Sequence, residues 1–195
     1  MTVVKKVLYG TFAILLTFGI TNQVSTNSEE NLVDKITKIE EDIITAKLRQ
    51  EEKWMNEISC LARNVYYESR GESYEGQLAV AVVTLNRVKN SKFPNTICGV
   101  VNERKRAGGK VVCQFSWRCE GHTDPKKRVS QTHDSYQAAM DAIFEYEYLT
   151  QDFLTEDTLY FHAKHVKPRW RRHKQMLAKI DNHIFYKNKP GDNRR

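Results

Sequence analysis

Apolar residues recur at helical spacing along most of the chain, and the places where that rhythm breaks divide it into elements. Between 28 and 52, Leu32, Ile36, Ile39, Ile43 and Ala46 follow at intervals of four and three on a Glu- and Lys-rich background without Pro or Gly. This predicts one amphipathic helix, whose heptad rhythm lasts under three repeats before Gln50 interrupts it. Such a stripe suits either a short coiled coil, with weak self-association through 32–46, or a helical spacer packed on its neighbour. Ile58, Leu61, Ala62, Val65 and Tyr66 then share one face of a helical run that Gly71 stops. A further helix starts near Ser73, with Glu75 in its first turn, and runs through Leu78, Ala81, Val82, Leu85 and Val88. Because it is apolar on nearly every side, it is expected to be a buried central helix.

Further along, Pro94 precedes a cap at Thr96, and Ile97, Val100 and Val101 make a short helix. Gly108 and Gly109 break the pattern, and 110–116 reads as one arm of a small β element. Thr132 can cap another helix, with Tyr136, Ala139, Met140, Ile143 and Phe144 inward. From 158 to 186, short extended runs (Leu159, Tyr160, Phe161; Ile184, Phe185, Tyr186) flank a basic stretch over 164–174. The fold class expected is mainly α, of α+β type with a small β element. One domain over 53–188 precedes a basic tail at 189–195.

At the other end, Lys5 and Lys6 precede an uncharged run over 7–20 and then polar Thr21, Asn22, Gln23 and Ser25. A membrane span needs about 20 apolar residues, so 1–27 reads as a secretory signal peptide or a retained membrane anchor. The bulk of the chain is then exported, to the periplasm, the membrane face or the cell wall outside. Export changes the reading of the four cysteines, at 60, 98, 113 and 119, which are expected as disulfides. Of the three possible pairings, Cys60 with Cys98 and Cys113 with Cys119 is the simplest: it ties two helices and staples a loop. The absence of CxxC spacing speaks against zinc. A formal charge of +7 and a pI near 9.2 suit an anionic partner. Without zinc-finger spacing or a ribonucleoprotein motif, no nucleic-acid module is indicated.

The candidate chemistry sits at Glu68, at a helix end on the lip of the apolar core, with Tyr66, Tyr67 and Tyr74 near in sequence. Partial desolvation there raises a carboxyl pKa and makes it an acid. The plainer reading is a solvated face shared with Glu72 and neutralised by Arg70. His162 and His165, with His173 and His183, also admit a metal site, although extended backbone before Pro168 does not put an i, i+3 pair on one face.

Five segments in order, YYESRGESYEGQLAVAVVTLNRV, FPNTICGVV, CQFSWRCEG, YFHAKHVKPRW and IDNHIFYK, resemble the cell wall hydrolase family that includes the spore cortex-lytic enzymes. The resemblance covers about 54–187. It implies a lysozyme-like, mostly helical domain that cuts the glycan strand of peptidoglycan, with Glu68 as the catalytic acid and no cofactor. It further implies a lytic transglycosylase, in which one carboxyl protonates the leaving oxygen and then takes the proton of the muramic acid C6 hydroxyl. Gln114, Phe115 and Ser116 become candidates for glycan contacts, joined by Tyr67, Glu72, Tyr74, Gln77 and His162. His183 matches a second family histidine, and Asp181 stands where the family usually has Gly. A hydrolase would instead need a second carboxylate, for which Glu72, Glu75, Glu120 and Asp124 are available. Two rivals remain: a zinc amidase using His162, His165 and His183, and a non-catalytic wall-binding protein that spans envelope layers.

Overall fold

The computed structural model describes residues 3–120 and 129–192, with side chains from 29 onward except those of 107 and 152. The leader expected over 1–27, Asp124 and the last three residues of the basic tail therefore lie outside the described residues or side chains. Among the described residues, no helix is long and apolar enough to cross a membrane. The chain separates into two compact units, 1–52 and 53–195. The first unit is helical, as part of α1 (Val3–Ser69). Its predicted stripe is present and exposed in this unit, with Leu32, Ile36, Ile39 and Ile43 each 47–62% accessible.

The second unit is built around α2 (Tyr74–Lys89), in which Ala79, Val80, Ala81, Val82 and Val83 are fully buried. Ser73 starts it as expected: its Oγ accepts from Gly76 N at 3.2 Å. Glu75 opposes the helix dipole in the first turn, as Arg87 and Lys89 do in the last. Around α2 stand the end of α1, α3 (Ile97–Val101), α4 (Asp134–Phe144) and α5 (Tyr146–Asp152). Thr96 caps α3 through Gly99 N at 3.0 Å. The cap of α4 is His133, whose Nδ1 accepts from Ser135 N at 3.1 Å, rather than Thr132. Phe144, expected inward, is 70% exposed, because the buried face of α4 runs through Tyr136, Ala138, Ala139 and Ala142.

Two antiparallel sheets complete the unit. A hairpin pairs β1 (Arg104–Ala107) with β2 (Lys110–Cys113) across Gly108 and Gly109, both at positive φ. The larger sheet has the order β3-β5-β4, from β3 (Thr158–Ala163), β4 (Lys174–Ile180) and β5 (His183–Asn188). Phe161 pairs with Phe185, and Lys179 with Ile184. β3 and β5 follow the two extended runs of the sequence; β4 is an edge strand whose exposed Gln175, Met176 and Lys179 hide its period.

Polar clamps hold α2 to β3. Asn86 Nδ2 donates to the carbonyls of Thr155 (3.0 Å) and Thr158 (2.9 Å), and its Oδ1 accepts from Tyr146 Oη at 2.5 Å. The turn between β4 and β5 is tied to the corner between α1 and α2. Asp181, at φ 45°, accepts from Ser73 N at 2.8 Å and Ser73 Oγ at 2.5 Å. A Cβ on Gly76 would lie 2.4 Å from that carboxylate, so a larger residue there would displace the Asp181 side chain from Ser73. Glu72 holds the same turn through Asn182 N at 2.9 Å and Nδ2 at 3.2 Å. These bonds set the helix corner bearing Glu68 against one end of the sheet. Disulfides join Cys60 to Cys98 and Cys113 to Cys119.

Candidate active site

Glu68 lies in the last turn of α1 and opens onto a cavity of about 450 Å³ between that helix end, the segment after β2 and the larger sheet. Of the residues singled out in the sequence, Tyr67, Gln114, Phe115, Ser116 and His162 line the same cavity. Burial pushes the Glu68 carboxyl up to about 7; the Arg87 guanidinium opposes that rise and Glu120 adds to it. Near neutral pH such a carboxyl is divided between its acid and its base form, the condition for a single group to serve as both.

Arg87 is the charge beneath the site. It projects from α2 into the apolar interior, 5% exposed, where an isolated cation would be costly. Its Nε donates to the Leu159 carbonyl at 2.9 Å. The guanidinium lies 5.0 Å from the Phe115 ring, 5.6 Å from Phe93 and 5.8 Å from Phe161. With its amide oriented to suit its partners, Gln114 accepts from Arg87 Nη1 at 3.2 Å and donates to Glu103 Oε2 at 3.1 Å. Arg87 thus acts on Glu68 from a fixed position.

The cavity wall beside Glu68 is aromatic. Tyr67 stacks on Trp117 with centroids 4.7 Å apart. Trp117 Nε1 donates to Asn64 Oδ1 at 2.9 Å, and Asn64 Nδ2 donates to Thr84 Oγ1 at 3.1 Å. Asn64 is fully buried, so truncating it strands the Trp117 indole N–H, while Thr84 Oγ1 keeps its bond to the Val80 carbonyl at 3.0 Å. Asn64→Ala is expected to cost about 3 kcal/mol in denaturant unfolding and to lower turnover as the Trp117 platform loosens. An unchanged midpoint would remove this role.

On the sheet side, His162 Nδ1 bonds to the Ala163 carbonyl and Nε2 to Tyr186 Oη, both at 2.9 Å. The carbonyl can only accept, so Nδ1 carries the proton and Nε2 accepts from the tyrosine. His183 also lines the cavity; burial lowers its pKa, and its Nδ1 is buried without a hydrogen-bond partner. With both ring nitrogens of His162 engaged, the His162, His165 and His183 zinc set does not fit. Among the described residues, no group of three or more His, Cys, Asp and Glu is placed to hold a metal.

Three residues expected at the substrate stand elsewhere. Glu72 is engaged with Asn182. Tyr74 donates to Asp141 on α4. Gln77 is buried, donating to the Glu72 carbonyl at 3.3 Å and accepting from Ser135 Oγ at 2.6 Å. Nearness in sequence to Glu68 suggested them, but the corner after Ser69 turns α2 away. Glu120 is the one proposed second carboxylate that lines the cavity among the described residues. Arg87 is missed in the sequence because, beside Asn86 and Lys89 at the end of α2, it reads as an ordinary basic last turn. A second depression, of about 470 Å³, is lined by Trp54, Leu85, Val88, Ile97, Ile143 and Phe144 among others, away from Glu68.

Residues 71–186 match the model of the family described as Cell Wall Hydrolase, a match that begins just after Glu68. The chain is 35% identical over 132 residues to the spore cortex-lytic enzyme of Bacillus cereus, and 31% identical over 134 residues to that of Bacillus subtilis. These alignments cover 68% and 67% of this chain but 44% and 37% of those proteins, so the chain spans less than half the length of these curated relatives. Among solved structures, it is similar to the catalytic domain of the Bacillus cereus SleB protein, with TM-score 0.54 and 33% identity over 68% of this chain and 91% of that one. It is also similar to the catalytic domain of the germination-specific lytic transglycosylase SleB from Bacillus anthracis, with TM-score 0.53 and 34% identity over 68% and 94%.

Proposed function

The chain belongs to the cell wall hydrolase family, and we propose that it cleaves the β-1,4 bond between N-acetylmuramic acid and N-acetylglucosamine in peptidoglycan, as a lytic transglycosylase. The observation that carries this reading is the Glu68 carboxyl, raised to about 7 at a cavity with the Arg87 cation beneath it. Protonated Glu68 donates to the glycosidic oxygen as the muramic ring takes on oxocarbenium character. The carboxylate left behind, stabilised by Arg87, then accepts the proton of the C6 hydroxyl as that oxygen closes on the anomeric carbon. The products are a free N-acetylglucosamine 4-hydroxyl and a 1,6-anhydromuramoyl end, with no water consumed. Tyr67 on Trp117 offers an aromatic face to the sugar and the exposed Ser116 a polar contact, while Gln114 and His162 shape the wall from their own hydrogen bonds. Export through 1–27 and a spacer role for 28–52 belong to the same proposal.

One observation favours a second reading. Glu120 lines the cavity, and as a base it would activate water for hydrolysis, leaving a reducing end.

Because the acid must start protonated, kcat/KM on purified peptidoglycan is expected to fall about tenfold per pH unit above about 7. A profile flat from neutral to alkaline pH would remove Glu68 as the acid.

A further inference from the structure

Five cations, Lys164, Lys167, Arg169, Arg171 and Arg172, crowd into nine residues, and no Asp or Glu occurs anywhere from 158 to 180. All five are exposed, and none forms an ion pair among the described residues. The segment is held firmly. Pro168 leads into a 3-10 helix over Arg169–His173, and Trp170 packs at 5.5 Å from the rings of His162 and Tyr186 and 5.8 Å from Tyr160. Next to it, Lys174 is buried and engaged with Asn188 and Asp192, so the exposed charges project from a packed base. Like charges so close repel one another and favour an anionic ligand that relieves them.

The position of this ridge narrows the choice of ligand. His162 and Val166, at its start, line the Glu68 cavity. A glycan strand seated with its scissile bond at Glu68 therefore runs beside the ridge. While the peptides are attached, the lactyl carboxyls of its muramic acids are tied up as amides and the sugars are neutral, so the carboxylates of the strand are those of the peptides. Arginine is the side chain suited to grip carboxylates in pairs of hydrogen bonds. We propose that the 164–172 ridge binds the stem-peptide carboxylates of the strand, so that the protein selects peptide-bearing glycan over naked glycan. The proposal rests on the glycan-cleaving function above.

The test uses the full chain and a variant carrying Arg169→Gln, Arg171→Gln and Arg172→Gln, whose exposed positions leave the packing intact. Binding is read by fluorescence anisotropy with labelled soluble glycan strands, either bearing their stem peptides or stripped of them with the freed lactyl carboxyls capped as simple amides, and turnover is measured on the same strands. The expected result is about tenfold weaker binding of peptide-bearing strands by the variant, with KM raised in step, kcat retained and binding of stripped strands unchanged. The parent's preference for peptide-bearing strands should also shrink at high salt. Equal weakening on both strands would overturn the proposal in favour of another wall polyanion, and no weakening would make the ridge a solvated face. If neither protein cleaves either strand, the proposed function fails, while the binding ratio still decides the ridge.

Discussion

Glu68→Gln is expected to lower turnover on peptidoglycan by about a thousandfold while leaving the fold intact. Glutamine keeps the shape of the side chain but can neither give up nor take back the proton. The same substitution is expected to stabilise the protein at alkaline pH. Burial raises the folded-state pKa of Glu68 from 4.5 to about 7, so the folded chain binds this proton more tightly than the unfolded chain does. Folding stability therefore falls as pH rises through that window, and above pH 7 the ionised carboxylate costs on the order of 3 kcal/mol. Denaturant midpoints of the two proteins should coincide near pH 4 and separate by pH 8, with the variant higher. Coincident midpoints at both values would mean that the carboxyl is not desolvated in the folded state.

Removing the disulfide between Cys60 and Cys98, by serine at both positions, is expected to cost about 4 kcal/mol by the loop-entropy relation. The bond spans 38 residues. That loop contains all of α2, the end of α1 that carries Glu68 and the start of α3. Without the bond, the unfolded chain regains the freedom of that whole loop. The pair Cys113 and Cys119 spans 6 residues and is expected to contribute about 2 kcal/mol. Its loop carries Gln114, Phe115, Ser116 and Trp117, so its loss should weaken activity more than its effect on unfolding suggests. Equilibrium unfolding of the two serine pairs, with turnover measured alongside, checks the order; equal destabilisation would contradict the loop argument.

Much of the second unit is legible in the sequence because its signals are local. Ser73 and Thr96 announce the starts of α2 and α3 through bonds to amides three residues on. Gly108 and Gly109 mark the hairpin that their positive φ allows. What stays hidden depends on partners far along the chain. β4 shows no clean alternation because Gln175, Met176 and Lys179 are exposed, and its place is set by pairing with β5. Asp181 occupies a left-handed position that suits glycine better, and its carboxylate answers Ser73, more than a hundred residues earlier.

The site divides in the same way. Glu68, Gln114, Phe115 and Ser116 come from segments whose resemblance to a known family could be read in order, and they meet at one cavity. Glu72, Tyr74 and Gln77 were drawn toward Glu68 by sequence distance alone, and the structure engages them with Asn182, Asp141 and Ser135. Arg87 needed the fold: only the approach of Phe93, Phe115, Phe161 and the Leu159 carbonyl explains a cation within an apolar helix.

The central claim is best tested by mass spectrometry of the fragments that residues 28–195 release from purified peptidoglycan, with the Glu68→Gln protein run in parallel. The account predicts muropeptides ending in 1,6-anhydromuramic acid from the parent and none from the variant. Reducing muramic ends would contradict it and transfer the second role to a base such as Glu120, and anhydro products persisting in the variant would remove Glu68 from the chemistry.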